Sequence, residues 1–395
     1  MKKSNLIFFF IFFVNFFSNA QKQTLFVDKD YQSILNQSKK ENKPIALMFY
    51  ASWCVHCNKM KNEVFTDKKV IKFYNSNFLC VAVNVESNEG VDLKKHFENK
   101  FKVKSFPTFS FLDGEENILN CISGELKVDD FITEGKNALL PENHFNNLFS
   151  LFNKDTSNAY NCIKYIIAIR KAGLDATEIT KRYLKTMPEK EWFTENTWKI
   201  MSNGINKIDT YEINFINIHK EEFSKVASPT RVEKKLIYVA NENLKPLIDL
   251  NDTINYYKLK PFAESFKIRK VDSLLFKFDL QLYGTNKNWK LYKSTAKNSV
   301  EKFAWKDSNT LVDICSVYLE SIKDRTALAE AINWSKQALN LGESLDKYIL
   351  ISKLYLKVND KKNALEYAQF GKESALKFGW KTNEIDTLLL KIKKT

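Results

Sequence analysis

Metal ligands are scarce in this chain, whose 395 residues hold only four histidines and six cysteines. Cys54 and Cys57 stand close together, whereas Cys80, Cys121, Cys162 and Cys315 are single and His96, His144 and His219 lie far apart. A structural zinc site needs a second Cys/His pair, and none is present. A copper site built on Cys54 and Cys57 lacks a Met or His cluster beside it. Neither a metal nor a cofactor is therefore expected. Long hydrophobic runs are missing after residue 20, so no later segment has the ~20 apolar residues a membrane helix requires. Glycine and proline are few, ten and seven, beside abundant Lys, Asn, Ile and Phe, a balance that follows from an AT-rich genome. The formal charge is +14, yet no basic run with interleaved aromatics stands out. Bases alternate with acids, as in Lys220-Glu221-Glu222 and Glu233-Lys234-Lys235. That is a solvated surface, and it argues against a nucleic-acid partner.

The first twenty residues have the layout of a signal peptide. Lys2 and Lys3 precede an apolar run at 6–17, and Ser18-Asn19-Ala20 supplies small residues for cleavage. The run is broken by Asn15 and is short for a spanning anchor, so no stable membrane span is expected after cleavage. No cysteine follows it to carry a lipid. The chain closes on Lys393-Lys394-Thr395, without an ER-retention signal, which favours a bacterial periplasm, with the extracellular space as the alternative.

What is present is Trp53-Cys54-Val55-His56-Cys57. It follows an apolar run at 45–50 that reads as a buried strand and opens a stretch at 58–74 that reads as a helix. At such a junction the first sulfur lies near unsatisfied N–H groups at the positive end of the helix dipole, which favours thiolate over thiol. His56 adds positive charge there when protonated. In an oxidising compartment this spacing suits reversible dithiol/disulfide exchange. Cys54 is expected exposed, as the attacking or attacked sulfur, and Cys57, buried one turn in, resolves the mixed disulfide.

The pattern changes near Pro141. Before it, strands near 25–27, 45–50, 78–85, 108–112 and 117–122 alternate with helices at 31–42, 58–74, 91–102 and 128–139, with Asp30 as an N-cap and a tight turn at Asp113-Gly114. This implies a mixed sheet covered by helices. After Pro141 nearly every segment has helical spacing, as in Tyr160, Ile163 and Ile167. The expected domains are a signal peptide at 1–20, an α/β domain at 21–140 and an all-α domain at 141–395.

Residues 24–140 resemble a thioredoxin-like domain. The Trp53–Cys57 motif, Phe106-Pro107-Thr108, Asp113-Gly114 and Gly124 stand in its order, and Met60, Glu63-Val64-Phe65 and Asp67 are most similar to its secreted thioredoxin-7-like and thiol:disulfide interchange branches. The resemblance implies a thiol:disulfide oxidoreductase, a cis bond before Pro107, and a Phe106 backbone offered to an extended client. Trp53, His56, Phe106 and Pro107 would then tune the pair or bind substrate. It also implies protein clients with thiols or disulfides and a redox partner that recycles the pair. Two departures stand out. Met48 replaces a buried acid common in the family, leaving Glu63, His56 or water as proton relay, and Asn58 replaces the usual Lys after the second cysteine, with Lys59 one further on. The direction of electron flow is open, since potentials in such proteins span about −270 to −120 mV.

Cys80 and Cys121 fall in strands that the thioredoxin-like order separates by two others, about 14 Å at ~4.8 Å per strand, too far for a disulfide. Cys162 and Cys315 fall in helical segments. Near 310–380, Ala331, Trp334 and Ala338 recur as Ala364, Tyr367 and Gly371 at close to the tetratricopeptide period, which this region resembles. A helical layer of that kind offers a groove to a partner. Hence the competing reading, in which the helical half binds clients or partners and the thioredoxin-like module is redox-silent.

Overall fold

The computed structural model describes residues 25–28 and 30–394, so the signal segment expected at 1–20 lies outside the described residues. The chain divides into two compact units, Met1–Ile205 and Asn206–Thr395.

The first unit is built on a five-stranded sheet of order β1-β3-β2-β4-β5. Its strands are β1 (Val27–Asp28), β2 (Ile45–Tyr50), β3 (Leu79–Asn84), β4 (Thr108–Leu112) and β5 (Ile118–Ser123). β1 and β2 pair parallel to β3, while β4 runs antiparallel to both β2 and β5. β2 lies in the middle, and all six of its residues are buried. That is why it reads as an unbroken apolar run rather than an alternating one. Along it Met48 packs with Phe109, Phe111, Phe131 and Tyr74. Leu47 and Phe49 point the other way, into a core with Val81, Phe97 and Phe101. Two strands separate Cys80 on β3 from Cys121 on β5, the order the spacing argument requires. Asp113 accepts from the amides of Glu115 and Asn117, at 2.9 and 2.8 Å, and so ties the turn between β4 and β5.

Helix α1 (Tyr31–Glu41) starts at Asp30, whose carboxylate accepts from the Ser33 amide at 2.7 Å. The single helix expected at 58–74 is instead three pieces. α2 (Val55–Lys59) runs into a π-helical turn, Met60–Val64, and α3 (Lys68–Asn77) begins afresh. The Phe65 amide donates to the Met60 carbonyl at 2.9 Å, which closes the wide turn and buries Met60, Val64 and Phe65 together. Asp67 then caps α3 by accepting from Lys69 and Val70. The helix expected at 91–102 is α4 (Asn88–His96), started by Ser87. Beyond it the chain turns to bury Phe97 and Phe101. α5 (Val128–Leu139) has the expected bounds.

The last strand ends at Ser123 and α5 at Leu139, just before the composition shifts near Pro141, but the compact unit runs on to Ile205. α6 (Phe145–Lys154), α7 (Ala159–Lys171), α8 (Thr177–Leu184) and α9 (Glu195–Gly204) belong to it. Ala172 joins the core of Phe97, Phe101 and Cys121, with Phe145 and Leu174 packed against it. The Lys102 amide donates to the Ala172 carbonyl at 2.7 Å, and Lys171 meets the Glu134 carboxylate at 2.8 Å.

The second unit is helical throughout. It comprises α10 (Tyr211–Ile218), α11 (Lys220–Val226), α12 (Pro229–Asp249), α13 (Thr253–Ser265), α14 (Arg269–Thr285) and α15 (Trp289–Phe303). There follow α16 (Ser308–Ser321), α17 (Arg325–Asn340), α18 (Leu345–Lys357), α19 (Lys361–Phe378) and α20 (Asn383–Lys394). Ala331, Ala338 and Ala364 are fully buried in its core beside Trp334, so small residues do sit where helices approach. Among the described residues no helix is long and apolar enough to cross a membrane.

Candidate active site

β2 delivers the chain to Ala51 at the edge of the core, and the next residues turn outward. The Ser52 amide donates to the Glu86 carboxylate at 2.6 Å, which pins this turn and holds the Glu86 carboxyl below the usual carboxylate range. Cys54 is the N-cap of α2, its own amide donating to the Ala51 carbonyl at 3.2 Å. The Cys54 Sγ accepts from the Cys57 amide at 3.1 Å. An orphan donor of the first helical turn therefore points at the sulfur, the arrangement that stabilises a thiolate. Cys54 and Cys57 are joined as a disulfide, with Cα atoms 5.3 Å apart.

The expectation that Cys54 is exposed needs correction. Its relative exposure is 4%, against 0% for Cys57. Both sulfurs belong to the core that holds Met48, Ala51 and Met60, and the local surface is made by the neighbours instead. Trp53 and Val55 are 68% and 75% exposed. Cys54 is still the sulfur nearer solvent, but only just.

The Phe106-Pro107 bond is cis, as the resemblance implies. Phe106 is half-buried, and its ring meets the Trp53 ring edge-on, centroids 5.9 Å apart. The loop is tied down on its far side. The Gly124 amide donates to the Pro107 carbonyl at 2.8 Å, and the Thr108 hydroxyl donates to the Ser105 carbonyl at 2.7 Å. Trp53, Phe106 and Val55 thus form an apolar collar around a nearly covered disulfide.

His56 is exposed, and its Nδ1 lies 2.9 Å from the Glu125 carboxylate. The other oxygen of that carboxylate accepts from Lys59. Hydrogen bonds from His56 and then Lys59 hold the Glu125 carboxyl below the usual range, and Glu125 in turn raises the Lys59 ammonium. So the positive charge expected to act on Cys54 comes with a carboxylate attached. Sequence reading missed Glu125 and Glu86. Glu125 lies 69 residues from His56, and its only local mark is that it follows Gly124. Of the relays considered for the fully buried Cys57, Glu63 and His56 are both exposed.

The buried thiols Cys121, Cys162 and Cys315 suit packing rather than exchange. Burial pushes Cys121 and Cys162 up to about 12, and it raises Cys315 as well. Among the described residues no group of three or more His, Cys, Asp or Glu is placed to hold a metal ion.

Residues 31–138 match a family of thioredoxin-like domains, so the chain carries such a domain followed by a long helical region. Spermatogenesis-associated protein 20 of Mus musculus is 39% identical over 61 residues, covering 15% of this chain and 8% of that protein. The thiol:disulfide interchange protein DsbD of Campylobacter jejuni (strain RM1221) is 28% identical over 117 residues, covering 29% of this chain and 20% of that protein. A solved structure of a DsbH oxidoreductase shares 26% identity over 29% of this chain and 84% of its own, with a TM-score of 0.25. The chain thus spans a fifth or less of the curated relatives named here.

Proposed function

We propose, from the premise that residues 31–138 form a thioredoxin-like domain, that this is an exported thiol:disulfide oxidoreductase acting on protein clients. The observation that carries this reading is Cys54 at a helix N-cap, its sulfur accepting the Cys57 amide and bonded to the Cys57 sulfur. In the reducing direction the Cys54 thiolate attacks one sulfur of a client disulfide. A Cys54–client bond forms, the client S–S bond breaks, and the first client thiolate leaves. The Cys57 thiolate then attacks the Cys54 sulfur and expels the second client thiolate. The client gains two electrons and the Cys54–Cys57 disulfide is restored. The oxidising direction is the same sequence reversed. A second dithiol or disulfide protein recycles the pair.

The apolar collar of Trp53, Val55 and Phe106 is where the client chain lies, since it flanks the more accessible sulfur. The address is the periplasm, proposed from the leader pattern at 1–20. The test is insulin reduction with dithiothreitol, together with trapping in cells. Cys57→Ser should accumulate mixed disulfides through Cys54, whereas Cys54→Ser should accumulate none. Equal trapping by both variants, or no turnover by the unmodified chain, refutes the reading. Fractionation checks the address.

A second reading, in which the helical unit binds a partner and the cysteine pair is idle, draws on one feature. α16, α18 and α20 border a cavity of about 940 Å³ with Leu319, Leu356 and Leu388 in its wall. The tetratricopeptide-like pattern near 310–380 fits the same role. Insulin turnover separates the two readings.

A further inference from the structure

Residues 102–105, Lys-Val-Lys-Ser, run directly into Phe106-Pro107. The stretch alternates. Val103 is buried, while Lys102 and Lys104 are exposed on either side of it. Both lysines border a cleft of about 370 Å³ whose other walls include Ser105, Ile122 and Ser123 and, from α7, Arg170. The far wall is fastened to the near one. Besides the bond between the Lys102 amide and the Ala172 carbonyl, Gly173 sits so close that a Cβ there would lie 2.8 Å from the Lys102 carbonyl oxygen.

The charge of the cleft is largely unbalanced. Lys171 is neutralised by Glu134, but Lys102, Lys104 and Arg170 have no ion-pair partner among the described residues. Among the described residues, the Arg170 guanidinium donates to the neutral side chain of Asn203. Lys104 stands two residues from Phe106, about 7 Å along an extended chain, and Phe106 touches the Trp53 ring beside Cys54. A client strand crossing the collar toward Ser105 therefore brings residues within about four positions of its cysteine over three cations.

We propose that this cleft selects clients: it takes Asp and Glu side chains flanking the reactive cysteine of the client chain. The proposal rests on the exchange reading above and names the clients that reading leaves open. Complementary charge at a rim of this kind sets partner choice and encounter more than tight binding.

The experiment uses the pre-reduced full chain and three synthetic peptides, each with one intrachain disulfide flanked by Glu and Asp, by Gln, or by Lys. Hydroxyethyl disulfide serves as an uncharged small substrate. The acid-flanked peptide should be reduced roughly tenfold faster than the Gln peptide, about what three exposed ion pairs supply together. The gain should sit in KM and shrink at high salt. A Lys102→Glu/Lys104→Glu variant should lose or invert the preference, Lys102→Arg/Lys104→Arg should keep it, and both should reduce hydroxyethyl disulfide at the unmodified rate. Equal rates for the three peptides, or a preference that survives in the Glu variant, overturn the cleft alone. Failure to reduce hydroxyethyl disulfide at all overturns the exchange reading, and the cleft as a client-selecting site falls with it.

Discussion

Replacing Gly173 by Ala tests whether α7 is truly part of the thioredoxin-like unit. Gly173 has φ +71°, a conformation that costs an L side chain about 1–2 kcal/mol. Its new Cβ would also stand 2.8 Å from the Lys102 carbonyl oxygen, inside contact distance. Either the Lys102 segment or the end of α7 must move. That movement strains the 2.7 Å bond from the Lys102 amide to the Ala172 carbonyl, worth about 0.5–1.5 kcal/mol. The expected loss is about 3 kcal/mol. Gly124→Ala provides the control within the same unit. Its φ is +97° and nothing lies within 4 Å of the added Cβ, so only the backbone cost of about 1–2 kcal/mol applies. Hydrogen exchange of residues 97–125 in the full chain across a urea series reads the stability of this unit. Gly173→Ala should lower the midpoint by about 1 M and Gly124→Ala by about half as much. Equal losses would mean that α7 does not press on the Lys102 segment, and the cleft between them would lose its wall.

Glu125→Gln should make the Cys54/Cys57 pair more oxidising, because the Lys59 ammonium then acts on the thiolate without a compensating carboxylate; Lys59→Gln should shift it the other way. Equilibration against glutathione measures both, the differences should fade at high salt, and shifts of the opposite sign would refute the electrostatic account. A fragment ending at Leu140 should be clearly less stable than one ending at Ile205, since it lacks Ala172, Phe145, Leu174 and the Lys171–Glu134 pair. Matching thermal midpoints would place the boundary back at Pro141. Asp307 caps α16 and bonds Thr310 and Lys277, which lowers its carboxyl from 3.8 to about 2. The stabilisation it gives the second unit is therefore full above its ordinary value and is lost as pH falls through about 2. Asp307→Asn should flatten the acid side of that unit's stability curve, and an unchanged acid limb would count against the assignment.

The sequence by itself determined much of the thioredoxin-like domain, and for a local reason. A buried strand, a capping residue and a C-x-x-C are defined by neighbours in the chain, so β2, the cap Asp30, the place of Cys54 between a strand and a helix, the turn at Asp113 and helix α5 are legible without coordinates, whereas the start of the helix at Val55 is not. The break at residues 60–67 was partly local too, in Asp67, but the helical spacing on either side of it concealed the wide turn that buries Met60 and Phe65 together. Only the tertiary structure decided the rest. The near-burial of Cys54 depends on the core it shares with Met48 and Met60. The His56–Glu125–Lys59 cluster joins residues more than sixty positions apart. The extent of the first unit depends on Ala172 filling a gap beside Phe97 and Cys121, and an alanine carries no periodicity signal of where it will be buried. The cleft beside Phe106 arises in the same way. Lys102, Lys104 and Arg170 read in sequence as ordinary solvated charges, and they acquire a common direction only because α7 is fastened by its backbone to the strand-edge segment before Pro107.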